Sequence, residues 1–152
     1  MNHNPQYQID NKSLNALKLM LFECICLRKG IFVAAKRLPH SDLPRGIPDV
    51  MREFYSQFAP VRINLTPLNI DFLPYTQVFT YLSNDYLTKR VNLPAFIPIA
   101  VYRGKYPIYL CRHSDGIWDN SIRMNIGNNN MQILGEDIFD FVVYLAEQMS
   151  NL

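Results

Sequence analysis

The chain has 152 residues, 49% hydrophobic and 18% charged, enough for one core that buries about two-thirds of the unfolded surface and too apolar for a disordered or collagen-like chain. Fifteen basic against 13 acidic residues leave a formal charge of +2. With no basic run longer than Lys36-Arg37 or Lys89-Arg90, this argues against the phosphate-neutralising stripe of a nucleic-acid binder.

Residues 1–12 are polar and without period, and read as a loose terminus; residues 13–152 read as a single domain. Ser13 caps a predicted helix running to Leu27, in which Leu14, Leu17, Leu21, Cys24 and Ile25 make one stripe. Met20, Phe22 and Leu27 extend the apolar surface around it, so this helix is expected either to be buried or to be shared with a partner, a second copy included. Glu23 interrupts the run and Arg28-Lys29 follows it. That is too short for a membrane span of about 20 residues, and the charges lie mainly on the wrong side for a secretory signal; no membrane partner is expected. Gly30 stops the helix, and the segment from there to Leu38 is compatible with helix or strand.

Pro39, Pro44 and Gly46 punctuate a connection. Ile47, Val50, Met51, Phe54 and Phe58 then recur at helical spacing behind Pro48 and Asp49, which suit a first turn. From Val61 the period becomes two: Val61, Ile63 and Leu65 alternate with polar residues, and after Pro67 come Leu68, Ile70 and Phe72. A helix is expected from about Thr76 to Leu87. Two strands, Phe96 to Tyr102 and Tyr106 to Cys111, flank Arg103-Gly104-Lys105 as a hairpin. Asp115-Gly116 opens a turn before Ile117-Trp118, Asn125 to Asn130 supplies another, and Met131 to Leu134 is a last strand. Ile138, Phe141, Val142, Leu145 and Met149 make a terminal helix with Glu136, Asp137 and Asp140 at its positive end. The fold class is α+β, a mainly antiparallel or mixed sheet packed against N-terminal, middle and C-terminal helices.

Candidate chemistry is sparse. The three cysteines, Cys24, Cys26 and Cys111, do not make a disulfide framework and fit reduced thiols in a cytoplasm. Cys24 and Cys26 point away from each other on a helix, so no metal site is expected. Cys111, His113 and Asp115 are the only trio for a small enzyme, and their adjacency reads more simply as a polar turn. Asp42, Asp49 and Asp71 read as cap or turn residues. No Gly-rich phosphate loop occurs, so no cofactor is expected. Tyr102, Arg103, Tyr106, Tyr109 and Trp118 fall near one hairpin with further bases; such a set packs on helices, anchors a protein interface or, least expected here, stacks single-stranded nucleic acid.

The order of these signals resembles the SUKH superfamily. The resemblance starts at Leu43-Pro44, passes the helix ending Glu53-Phe54-Tyr55-Ser56-Gln57-Phe58 and the helix from Tyr75 to Tyr86, and is strongest at Phe96-Ile97-Pro98-Ile99-Ala100. It closes with Asp115-Gly116-Ile117-Trp118 and the helix opening Glu136-Asp137-Ile138-Phe139, covering about 110 of 152 residues. Ala59-Pro60 stand where the family commonly has a glycine, and Leu110-Cys111-Arg112 where it often has an acidic residue. The resemblance implies a non-enzymatic domain, used in bacteria as an immunity protein that binds and neutralises a cognate toxin, often a nuclease or deaminase. Elsewhere in the family it serves as a regulatory or scaffolding module. On this expectation the toxin docks over the open face or edge of the sheet near Tyr102, Arg103, Tyr106, Tyr109 and Trp118.

Overall fold

The computed structural model describes residues 30–35, 38–88, 93–128 and 130–151. Within them seven strands form one sheet in chain order, every neighbouring pair antiparallel. The strands are β1 (Ile31–Ala35), β2 (Ala59–Leu65), β3 (Ile70–Phe72), β4 (Ala95–Tyr102), β5 (Tyr106–Arg112), β6 (Trp118–Asn125) and β7 (Met131–Gly135). The helices are α1 (Asp49–Gln57), α2 (Tyr75–Thr88) and α3 (Ile138–Ser150). This is the expected α+β class, with no parallel pair. The loose terminus, the helix from Ser13 to Leu27 with its self-association, and the Cys24 and Cys26 pair lie outside the described residues.

Alternation decides which face of the sheet is covered. Ile63, Leu65, Ile70, Phe72, Ile97, Ile108, Leu110, Ile122 and Met124 are all buried and form one core with Val50, Met51 and Phe54 of α1, Val78 and Leu82 of α2, and Phe141, Val142 and Leu145 of α3. Aromatic edges knit the helices together: Phe54 meets Phe139 of α3 at 5.7 Å and Tyr55 meets Phe79 of α2 at 5.2 Å. Burial without compensating charge pushes the Tyr55 phenol above its ordinary pKa.

Local chemistry sets the element ends. Asp137 caps α3 by accepting from the Asp140 amide at 2.8 Å, while the Asp140 carboxylate accepts from the Glu136 amide at 3.0 Å, so the acidic cluster satisfies orphan amides as well as meeting the dipole. Gly135 lets β7 approach this helix: a Cβ there would stand 2.6 Å from the Phe141 backbone nitrogen.

Four expectations are corrected or completed. Residues 31–35 are strand, resolving the segment that the sequence left open. Val61 is exposed rather than inward, because the β1–β2 register shifts between Val33 and Ala34 and leaves Val61 in the irregularity. Asp71 is no turn residue; it lies in the middle of β3, paired with Asn64 and Val101. Finally, Trp118 opens an eight-residue strand, β6, in which Asp119-Asn120-Ser121 hide the alternation.

Candidate binding surface

The register carries side chains in rows across the face opposite the helices. One row runs Ile31, Asn64, Asp71, Val101, Pro107. A second runs Pro98, Tyr109, Arg123, Ile133, and a third Phe96, Cys111, Asp119. Large apolar side chains stand in water here: Phe96 is 52% exposed, Ile133 57% and Val33 47%. Scattered exposed hydrophobics are ordinary, and Val33 and Ile133 stand apart from Phe96, with Arg123 between Tyr109 and Ile133; Phe96, Pro98 and Tyr109 are neighbours and make a small apolar patch. Phe96 and Tyr109 meet edge to face, ring centroids 5.7 Å apart. They give the patch a rigid aromatic centre of the kind that anchors protein interfaces.

A polar strip borders it. Arg123 donates to Asp119 at 2.5 Å and to the Ser121 hydroxyl at 2.9 Å, and His113 Nε2 stands 3.8 Å from Asp119. Burial acts to raise the Asp119 carboxyl, but the hydrogen bonds from Ser121, with Arg123 and His113, outweigh it and hold the group below the usual carboxylate range. Cys111 is nearly covered on this strip, and burial raises its thiol pKa despite the attraction of Arg123; a thiolate nucleophile needs the opposite shift. Asp115 is turned to its own loop, where its Oδ1 accepts from the Ile117 amide at 3.0 Å. The trio Cys111, His113 and Asp115 is therefore not assembled around a common point. Among the described residues no three His, Cys, Asp or Glu side chains converge as a metal site.

The five residues expected to form one surface occupy three places. Tyr109 belongs to the face that no described helix covers. Tyr102 and Tyr106 face each other at the turn end of the β4–β5 hairpin, centroids 6.3 Å apart, on the side of the sheet that the helices cover, with Arg103 in the turn. Trp118 pairs with Arg112 at the other end of β5, about 20 Å from Tyr106 at the rise of a strand. Its indole donates to the Gly46 carbonyl at 2.9 Å, so it fastens the loop before α1 to the sheet. No family profile, curated protein or solved structure matches the chain. Among the described residues no helix is long and apolar enough to cross a membrane.

Three features of the surface were missed in the sequence: Phe96, Arg123 and Ile133. The parity of Phe96 and Pro98 against Ile97 and Ile99 was the available signal for the first. The bulge in β6 removed the signal for the second. Also missed was the ion pair between Arg112 and Asp85, whose guanidinium grips both carboxylate oxygens at 2.9 and 2.8 Å, because its partners are 27 residues apart on different elements.

Proposed function

We propose that this chain is a non-enzymatic protein-binding domain of the SUKH kind, an immunity protein that captures and neutralises a cognate toxin with the face of its sheet that no described helix covers. The observation that carries the proposal is the apolar patch around Phe96 and Tyr109, bordered by the Asp119–Arg123 strip: an aromatic centre within a polar rim is the usual anatomy of a protein interface. Its charges are balanced, with Arg62 and Arg123 against Asp71 and Asp119, so the patch gives little electrostatic steering toward a strongly basic nuclease. The order of the sequence signals supports the immunity role, and the raised Cys111 thiol speaks against nucleophilic chemistry on the same face.

The test is capture of the partner by tagged full-length chain, followed by co-expression to see whether the partner's growth toxicity is relieved. Tyr109→Ala and Phe96→Glu are expected to weaken capture at least about tenfold, the scale of an interface anchor. Trp118→Phe, which alters a tether on the helix side, is expected to lower the melting temperature and leave capture intact. Retained capture in both open-face variants would refute the surface assignment.

A further inference from the structure

Between α3 and the turn end of the sheet lies a groove of about 500 Å³, within the size range of ligand sites, roughly 300–1,000 Å³. Ile70, Ile108 and Leu145 supply an apolar floor, and Gln132, Gln148 and Arg103 stand around it. Among its described lining residues none is acidic and Arg103 is the one charge. That guanidinium lies 5.0 Å over the Tyr102 ring, takes no carboxylate partner among the described residues, and is reinforced by Lys105, whose ammonium lies over Tyr106 in the same turn.

The backbone at Arg103 adds weight. Its φ is +52° and that of Gly104 is +63°, the two positive angles of a type I′ hairpin turn, where Asn, Asp or Gly is favoured and a long side chain is strained. The turn is pinned by the Arg103 amide donating to the Asn69 carbonyl at 2.7 Å. An arginine is thus held in an unfavourable conformation, beside a groove whose described lining residues carry no negative charge.

We propose that this groove binds a short segment of the partner protein in which a bulky apolar side chain has a carboxylate on the neighbouring residue. The apolar side chain meets the floor, the segment's amides meet the Gln132 and Gln148 carboxamides, and the carboxylate meets Arg103. Arg103 and Gln132 are exposed, so a wholly apolar ligand would draw nothing from their charge and carboxamide, and a cationic one would meet repulsion. The inference rests on the protein-binding function proposed above, but it concerns a different surface from the Phe96 and Tyr109 patch.

The test uses two blocked dipeptides, N-acetyl-phenylalanyl-aspartate methylamide and its asparagine counterpart, titrated into the isotopically labelled full chain and followed by amide chemical shifts. The expected result is saturable shifts at Ile70, Gln132 and Gln148, with the aspartyl probe binding about fivefold tighter at low salt, the scale of an exposed ion pair. Arg103→Gln should erase that difference while leaving the fold intact, and Arg62→Gln on the uncovered face should preserve it. Equal affinities for the two probes, shifts confined to the uncovered face, or no shifts in the groove at millimolar probe would each overturn the groove assignment. If the groove fails in this way while Phe96→Glu still abolishes partner capture, only the groove is wrong; if capture is absent altogether, the function itself is.

Discussion

At the level of single residues, the arginine in the β4–β5 turn and the aspartate in β6 make opposite contributions. Arg103 is strained, with φ at +52°, so Arg103→Asn should relieve about 1 kcal/mol, the usual cost of a left-handed L-residue. That corresponds to a melting temperature about 2–4 °C higher for a chain of this size. A stabilising substitution at a position that also weakens recognition of an acidic segment is the pattern expected where function keeps an unfavourable residue. Asp119 is the reverse case, held below the usual carboxylate range in the folded state by its hydrogen bonds. A depressed folded pKa gives stability that is present above the ordinary value of 3.8 and is lost as the pH falls through the lower folded value. Denaturant titrations from neutral to acid pH should therefore show a loss in that window that Asp119→Asn largely lacks. An unchanged acid limb in the variant would mean that another carboxylate carries it.

Among the elements, the contact that the sequence could not announce is the one joining α2 to the end of β5. Arg112 and Asp85 are mostly buried, with side chains 9% and 13% exposed, and the Arg112 guanidinium also donates to the His113 carbonyl at 3.1 Å. The Asp85 hydrogen bonds raise the Arg112 pKa further above its already high value. Removing one partner of a buried pair leaves the other charge desolvated, so Asp85→Ala should cost about 3 kcal/mol, measured by chemical denaturation. A cost below about 1 kcal/mol would show that water already screens the pair. Legibility divides along the same line. Helices α1, α2 and α3 and the β4–β5 hairpin could be read to within a few residues, because their signals are local: helical spacing, period-two alternation, a Gly-containing turn. Segment 31–35 could not, since IFVAA suits a helix or a strand and only pairing with β2 decides it. In β6 the bulge between the residues facing Leu110 and Cys111 breaks the alternation that would have revealed it. Of the residues grouped as one candidate surface, Tyr109 lies on the face opposite the described helices, whereas Trp118 was grouped with it on nearness in sequence, and the hairpin geometry separates the two.

For the molecule as a whole, the decisive fact is that the three described helices cover one face of a seven-stranded sheet while the other face carries Tyr109, Arg123 and Ile133 in one row and Phe96 beside Tyr109. A one-sided antiparallel sheet normally turns polar residues to water, and here Pro98, Val101, Pro107 and Tyr109 share the rows with Asn64, Asp71, Asp119 and Arg123. Side chains left in water gain little stability from being apolar, which is consistent with the proposed interface. The double change Phe96→Glu with Ile133→Lys puts charge on two residues that are more than half exposed, so it should alter folding stability by no more than about 0.5 kcal/mol. The same change should abolish the binding of a hydrophobic fluorescent dye and of the captured partner. If the double variant instead loses several kcal/mol, the face is already covered within the folded chain, and partner binding must be sought at the groove beside α3. Unchanged stability with lost binding assigns the patch to an external protein, since a surface that contributes nothing to the fold is free to be spent on recognition.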